Sequence, residues 1–163
     1  MNRFFAAGML LVLTTALLAQ KSPSQEINSS TIVFVCEHGS ARSVIAAAHF
    51  NRLASEKGLP FRAVSRGKSP DESISTGIKD GLAADGLDVS TWKPKGLTDA
   101  DIQKAGKVIA LSVDLPAART AAPDRLLEWK DVPSMSQSYD TVRKILVKHV
   151  NELVQKLADS KAQ

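Results

Sequence analysis

An apolar run that ends in the chain's single cysteine constrains the fold more than any other feature. Residues 31–36 read Thr-Ile-Val-Phe-Val-Cys, which is almost wholly apolar and rich in β-branched side chains. Such a run is typical of a central parallel strand that is buried on both faces. Residues 43–53 then carry apolar side chains at helical spacing, and Gly58 marks the end of that helix. The sequence therefore predicts a strand, a short loop and a helix.

The same alternation of strand and helix continues to the end of the chain. Further strands are predicted over residues 61–64, 107–112 and 126–129, with helices over residues 74–84 and from residue 98. The last helix has one continuous apolar stripe, formed by Tyr139, Val142, Leu146, Val150, Leu153 and Leu157. Strands that alternate with helices indicate an open parallel α/β sheet. In such a sheet, ligands bind beyond the carboxyl ends of the strands.

Composition excludes several classes of function. The 163 residues, of which 44% are hydrophobic, fit one globular domain. A net charge of +4 permits an anionic ligand, but aromatic residues make up only 5%, too few for a surface that stacks bases. We therefore expect no nucleic-acid partner. One cysteine excludes an intramolecular disulfide, a cysteine-rich zinc site and a relay between two thiols of the chain. No metal and no cofactor are predicted.

The amino-terminal segment is typical of an export signal. Arg3 is followed by an uncharged apolar run over residues 4–18 and by Ala19. We expect residues 1–19 to be a cleaved signal peptide, which implies a periplasmic or extracellular protein without stable membrane insertion. The alternative is an uncleaved membrane anchor, although the run is shorter than the roughly 20 residues that a span requires. The predicted organisation continues with a flexible leader (20–30), one domain (31–158) and a tail (159–163).

The residues after the first strand have the pattern of an oxyanion site. The loop of residues 37–41 separates Cys36 from Arg42 and Ser43, where the helix begins. A short loop that enters a helix turns its backbone N–H groups inward, which creates a nest for a tetrahedral anion. Arg42 can bind two oxygens of that anion, and the positive field favours the thiolate of Cys36. Ser43 can donate to the sulfur or cap the helix, and Gly39 allows a left-handed turn.

Several segments together resemble the low-molecular-weight protein tyrosine phosphatase family, which includes arsenate reductases of the same fold. They occur in the family's order and are residues 33–47, Ser65-Arg-Gly67, Gly86-Leu-Asp-Val-Ser90 and Lys107-Val-Ile-Ala-Leu111. The resemblance covers about residues 31–157. It implies a single three-layer α/β/α domain with a four-stranded parallel sheet and a phosphate-binding loop after the first strand.

The resemblance also implies roles for individual residues. Cys36 would attack phosphorus and form a cysteinyl-phosphate, while Arg42 and the backbone N–H groups of residues 37–42 hold the equatorial oxygens. The substrate-binding residues would be Glu37, His38, Gly39, Ser40, Ala41, Arg42 and Ser43. The family's general acid lies in a late Asp-Pro loop, which corresponds here to residues 128–133 and assigns the role to Asp131, with Asp124 as the alternative.

The chain departs from the family's pattern at four positions. Gly39 stands where many members have asparagine, and Ala41 stands where the tyrosine phosphatases often have a second cysteine. Val132 separates Asp131 from Pro133, and His38 is more familiar from the arsenate reductases. The two other histidines lie on helices and are expected to be structural or exposed, without partners: His49 and His149.

The leading hypothesis is a phosphomonoester hydrolase of the tyrosine phosphatase type that acts through a cysteinyl-phosphate. An arsenate reductase is the second hypothesis, because arsenate has nearly the shape and charge of phosphate. With no further thiol in the chain, that reaction needs an external thiol such as glutathione or mycothiol. A non-catalytic module that binds an oxyanion is the third. The expected partner is a phosphate monoester or arsenate.

Overall fold

A four-stranded parallel sheet forms the centre of the protein, as the sequence predicts. The computed structural model describes residues 26–161, so the predicted signal peptide and the first part of the leader lie outside it. The strands, in the order β2-β1-β3-β4 across the sheet, are β1 (Thr31–Cys36), β2 (Arg62–Gly67), β3 (Lys107–Leu111) and β4 (Leu126–Trp129). Every side chain of β1 is buried, which explains its apolar sequence.

Helices cover both faces of the sheet and complete three layers. They are α1 (Arg42–Glu56), α2 (Thr76–Ala84), α3 (Asp99–Lys104), α4 (Pro116–Ala121) and α5 (Tyr139–Lys161). Ile32 and Phe34 of β1 lie in one core with α1, α2 and α5, whereas Val33 and Val35 lie in a second core with α3 and α4. Within residues 26–161, no helix combines the length and the apolar composition needed to cross a membrane.

The elements differ from the predictions in several places. β2 continues past residue 64 to Gly67, because the charge of Arg66 is paired with the Asp101 carboxylate. α4 was not predicted, since its six residues are too few to display a helical period. α5 continues to Lys161, three residues beyond the predicted end of the domain. The predicted capping box at the start of α3, formed by Thr98 and Asp101, is confirmed.

The parallel sheet separates the two carboxylates considered for the general acid. Cys36 ends β1, and all four strands run in the same direction. Asp131 follows β4 and therefore lies at the same carboxyl edge of the sheet as Cys36. Asp124 precedes β4, in a short 3-10 helix (Pro123–Arg125), and lies at the opposite edge. The topology therefore leaves only Asp131, of these two, near the end of the sheet that carries the cysteine.

Candidate active site

Two hydrogen-bonding groups, one from the loop and one from the first helical turn, lie next to the sulfur of Cys36. Cys36 is 3% exposed, and its Sγ lies 3.2 Å from the hydroxyl oxygen of Ser43. The backbone N–H of Gly39 donates to the same sulfur at 3.3 Å. Ser43 is fully buried in the first turn of α1, so its hydroxyl is held in place. The Gly39 amide donates to the sulfur, and the Ser43 hydroxyl can donate to it as well, so a thiolate, the nucleophilic form of cysteine, could accept both hydrogen bonds.

The amino terminus of α1 is free to bind an anion. Ala41 precedes the helix and provides no side-chain cap, and the first turn contains no acidic residue. The partly buried Arg42 begins the helix, and none of the carboxylates in residues 26–161 lies within ion-pair distance of it. The helix amides and this guanidinium can therefore hold a tetrahedral oxyanion next to Cys36.

Two glycines in close contact set the curvature of the loop. Gly39 has a φ of +63°, in the left-handed region that favours glycine. A β-carbon at this position would lie 2.6 Å from the backbone nitrogen of Gly67, and one at Gly67 would lie 2.8 Å from Gly39 N. The end of β2 thus packs directly against the loop. The turn at Gly39 therefore has no room for a side chain.

The segment after β2 forms one wall of the site. The backbone N–H groups of Lys68, Ser69 and Asp71 donate to the carbonyls of Cys36, Glu37 and His38 at 3.0, 2.8 and 3.0 Å. These bonds fix the segment after β2 to the loop that follows β1.

A carboxylate of this wall contacts two side chains of the loop. Asp71 accepts a hydrogen bond from the hydroxyl of Ser40, and its other oxygen lies 3.4 Å from Nδ1 of His38. Sequence reasoning did not single out Asp71. Its position could have been inferred, because it lies just beyond the carboxyl end of β2, which pairs with β1, where ligands bind in such sheets.

Asp131 is bound to helix α5. Both of its carboxylate oxygens lie 2.9 Å from Nε2 of His149, whose ring stacks on Trp129 with 4.8 Å between the ring centroids. The hydrogen bond from His149 lowers the pKa of Asp131. No hydrogen bond or ion pair among the described residues joins Asp131 to the loop that contains Cys36. The expectation that His149 has no partner was wrong, because the turn after β4 brings Asp131 back against α5.

Ser112 holds the turn that carries Asp131 through hydrogen bonds to its backbone. This residue has a φ of +47°, and its hydroxyl donates to the carbonyls of Val132 and Lys130 at 2.7 and 3.1 Å. The Val132 side chain is 2% exposed and belongs to the core shared with α1 and α5. Val132, directly before Pro133, therefore packs in the core, and Asp131 is the residue of this turn that carries a carboxyl group.

His49 also has partners, contrary to expectation, but it lies in a structural cluster. Arg52 donates to Nδ1 of His49 at 3.1 Å, and Asp85 lies 3.3 Å from its Nε2. Burial, together with the Arg52 cation, lowers the pKa of His49. Asp85 also accepts hydrogen bonds from Arg143 and Tyr139 of α5, at 2.5 and 3.0 Å. The cluster joins α1, α5 and the end of α2.

Comparisons with known proteins agree with this architecture. The chain resembles the crystal structure of YfkJ from Bacillus subtilis with a TM-score of 0.70 and 20% identity, over 86% of this chain and 99% of that one. A low molecular weight protein tyrosine phosphatase from T. tengcongensis gives a TM-score of 0.66 and 22% identity, over 80% and 98%. An arsenate reductase from Archaeoglobus fulgidus gives 0.60 and 26%, over 76% and 98%.

These structures show the fold that the chain shares with phosphatases and arsenate reductases. No curated protein matches the sequence. A family model does match it, described as low molecular weight phosphotyrosine protein phosphatase, and the match covers residues 31–123. The matched region contains the strand, the cysteine loop and the first helix. On this match, the chain belongs to the low molecular weight phosphotyrosine protein phosphatase family.

Proposed function

We propose that this protein is a phosphomonoester hydrolase that acts through a cysteinyl-phosphate intermediate. The observation that carries the proposal is the environment of the Cys36 sulfur, which lies within 3.3 Å of both the Ser43 hydroxyl and the Gly39 amide. The uncapped amino terminus of α1 and the unpaired Arg42, within the described part of the chain, supply the charge that an oxyanion needs.

The reaction takes two displacements at phosphorus. In the first, the Cys36 thiolate forms an S–P bond while the bond from phosphorus to the ester oxygen breaks, and that oxygen leaves with a proton. In the second, water attacks phosphorus, the S–P bond breaks, and inorganic phosphate and the thiolate are released. Arg42 and the loop amides stabilise the equatorial oxygens in both transition states.

Asp131 is the proposed acid of the first displacement and base of the second. It protonates the leaving oxygen as the ester bond breaks, and the resulting carboxylate then accepts a proton from the attacking water. The support is its place after β4, at the same carboxyl edge of the sheet as Cys36. Its hydrogen bond with His149 lowers the pKa of the carboxyl.

The proposal is tested with the full chain and p-nitrophenyl phosphate. Wild-type protein should release phosphate, and Cys36→Ser should abolish release while the protein remains folded. Ala83→Ser, a change of similar size at an exposed residue of α2, serves as the control and should retain turnover. An inert wild-type protein that binds inorganic phosphate would contradict the hydrolase and identify an oxyanion-binding module.

Arsenate reduction is the second candidate, and His38 is the residue that favours it. The chain has one cysteine, so the arsenic bound to Cys36 must be released by an external thiol such as glutathione or mycothiol. The discriminating measurement is arsenate-dependent consumption of added thiol, run beside the phosphatase assay. Thiol consumption without phosphate release would favour the reductase over the hydrolase.

We propose in addition that the protein acts after export. The support is the sequence of residues 1–19, and the thiols required by the reductase are mainly cytosolic, so export favours the hydrolase. Mass spectrometry of the amino terminus of protein from the exported fraction is the test. A new terminus after Ala19 agrees with cleavage, and an intact terminus in the membrane fraction identifies the anchor.

A further inference from the structure

A cleft lies along the outer edge of β2, separate from the site around Cys36. Because β2 is the last strand of the sheet on this side, it pairs only with β1. The segment of residues 91–95 passes its open edge, and the space between them has a volume of about 370 Å³. That volume is in the range of small-molecule sites. No residue of the loop from Cys36 to Ser43 lines this cleft.

The far wall of the cleft is fixed to the end of β2. The backbone N–H of Gly67 donates to the carbonyl of Lys95 at 2.9 Å, and the N–H of Leu97 donates to the carbonyl of Gly67 at 2.9 Å. The two walls are therefore held at a set separation, as a preformed binding site requires.

The edge of β2 is closed to an added strand. The Asn51 side chain accepts from the N–H of Ala63 at 2.6 Å and donates to its carbonyl at 3.0 Å. The carbonyl of Ser65 accepts from the Arg66 guanidinium at 2.9 Å. A peptide that extends a sheet needs a row of free N–H and C=O groups, and this edge does not offer one. The cleft therefore suits a small molecule.

Ser65 leaves two hydrogen-bond donors without partners at the cleft. Backbone groups of alternate residues in a strand point to the same side, so the Ser65 N–H points outward like that of Gly67 and has no ladder partner. The Ser65 side chain is 8% exposed, and its hydroxyl forms no hydrogen bond with any of residues 26–161. Solvent reaches this oxygen, and Ser65 lines the cleft. A buried donor without a partner is costly unless a ligand accepts its hydrogen bond.

The lining of the cleft carries positive charge that is not neutralised. Lys93 and Lys95 are exposed, and neither lies within ion-pair distance of a carboxylate in residues 26–161. The charge of Arg66 is paired with Asp101, and no acidic residue lines the cleft. The half-buried Trp92 adds a flat apolar surface. Unpaired cations and free donors favour an anion, and an indole favours a flat apolar group.

We propose that this cleft binds a small carboxylate that carries a flat apolar group. The N–H and the hydroxyl of Ser65 donate to the two carboxylate oxygens, Lys93 and Lys95 balance the charge, and the apolar group lies against Trp92. The inference does not depend on the proposed hydrolase activity, because no residue of the catalytic loop takes part.

The test follows benzoate binding through the fluorescence of Trp92. The chain has two tryptophans, so Trp129→Phe in the full-length protein leaves Trp92 as the only reporter. Benzoate should change this fluorescence saturably. Benzamide, which has the same ring and no charge, should bind on the order of 10-fold more weakly, because hydrogen bonds to a charged group are the stronger ones.

Further variants of the Trp129→Phe protein locate the probe. Ser65→Ala should weaken benzoate binding on the order of 10-fold, and the free energy of unfolding without benzoate should be unchanged or higher, because an unpartnered buried hydroxyl is removed. The double variant Lys93→Gln and Lys95→Gln should weaken binding by a similar factor. Lys144→Gln, at an exposed lysine of α5 that does not line the cleft, should retain the affinity.

Three results would overturn the assignment. The first is equal affinity for benzoate and benzamide, which would show that the charge is not recognised. The second is binding that is lost in Arg42→Gln and unchanged in Ser65→Ala, which would place the probe in the catalytic loop. The third is the absence of a saturable fluorescence change at any soluble benzoate concentration. None of these readouts uses turnover, so failure of the cleft and failure of the hydrolase are distinguishable.

Discussion

The contact between Gly39 and Gly67 makes one position of the catalytic loop intolerant of any side chain. Gly39→Ala requires both a left-handed backbone and displacement of the end of β2. We expect it to lower the free energy of unfolding by about 3 kcal/mol, because backbone strain and overpacking add. A displaced loop should also lower kcat/KM on the order of 10²-fold. Chemical denaturation and the p-nitrophenyl phosphate assay measure these effects.

Gly58 offers a matched control for this prediction. It has a similar positive φ of +60°, but a β-carbon there meets no atom within 4 Å. Gly58→Ala should therefore cost only the backbone strain, about 1 kcal/mol, and leave turnover unchanged. Equal effects of the two substitutions on stability and turnover would refute the importance of the glycine contact.

The ion pair between Asp131 and His149 predicts a measurable shift at a single carboxyl group. His149→Phe retains a ring that can stack on Trp129 but removes the hydrogen bond. The pKa of Asp131 should rise in this variant, because the hydrogen bond and the nearby charge that lower it are lost. Carboxyl-carbon NMR titration gives the value, and an unchanged Asp131 pKa would contradict the assigned pair.

At the residue scale, the sequence predicted the contacts that are local in the chain. Cys36, Gly39 and Ser43 lie within eight positions of each other, so one loop geometry brings them together. The partners of Asp71 and His149 were not predictable in this way. Asp71 contacts Ser40 across 31 positions, and His149 contacts Asp131 across 18. Such pairs depend on where the elements pack, which a single sequence does not state.

At the scale of elements, a buried ion pair joins β2 to α3. The Arg66 guanidinium donates to both oxygens of Asp101 at 2.9 and 3.1 Å, and Asp101 also caps α3 through Thr98. Although burial disfavours the charged carboxyl, these hydrogen bonds outweigh that effect and lower the pKa of Asp101. The pair explains why a strand can continue through a charged residue that the apolar pattern assigns to a loop.

Breaking this pair should destabilise the protein strongly. Asp101→Asn leaves the Arg66 charge without its carboxylate partner, so we expect a loss of about 3 kcal/mol in the free energy of unfolding. Arg119 forms ion pairs with Asp114 and Glu128 at the surface and provides the control. Arg119→Met should have no measurable effect, since exposed pairs are screened by solvent. A similar small effect for both variants would contradict the account.

At the scale of the whole molecule, the cluster around His49 links stability to pH. Because His49 has a lowered pKa in the folded protein, the unfolded chain binds a proton first as the pH falls. The contribution of His49 is therefore complete above the ordinary histidine pKa of about 6.5 and is lost on acidification. Wild-type stability should decrease from about pH 7 to about pH 5, measured by urea denaturation.

His49→Gln removes the titrating group and should flatten this dependence, even if its stability at neutral pH is lower. The same steep decrease in the variant would show that His49 does not cause it. At lower pH, Asp85 adds a second loss. Burial of Asp85 disfavours the charged form, but hydrogen bonds from Arg143 and Tyr139 outweigh it and lower its pKa. That contribution disappears as the carboxyl is protonated.

The order and type of the main elements could be predicted because strands and long helices carry distinct periods of apolar residues. The two-sided burial of β1 and the stripe along α5 are the strongest cases. The strand order β2-β1-β3-β4 has no such local signal and was not predicted. The short helix α4 gave no signal at all, because two turns do not establish a period.

The central claim is that Cys36 is a nucleophile held in an oxyanion site, and one measurement tests it directly. Full-length protein is mixed with p-nitrophenyl phosphate, quenched in acid within the first turnover, digested and examined by mass spectrometry. The account predicts one phosphoryl group on the peptide that contains Cys36, and its disappearance once the substrate is exhausted. Steady release of phosphate with this peptide unmodified at every quench time would contradict the account.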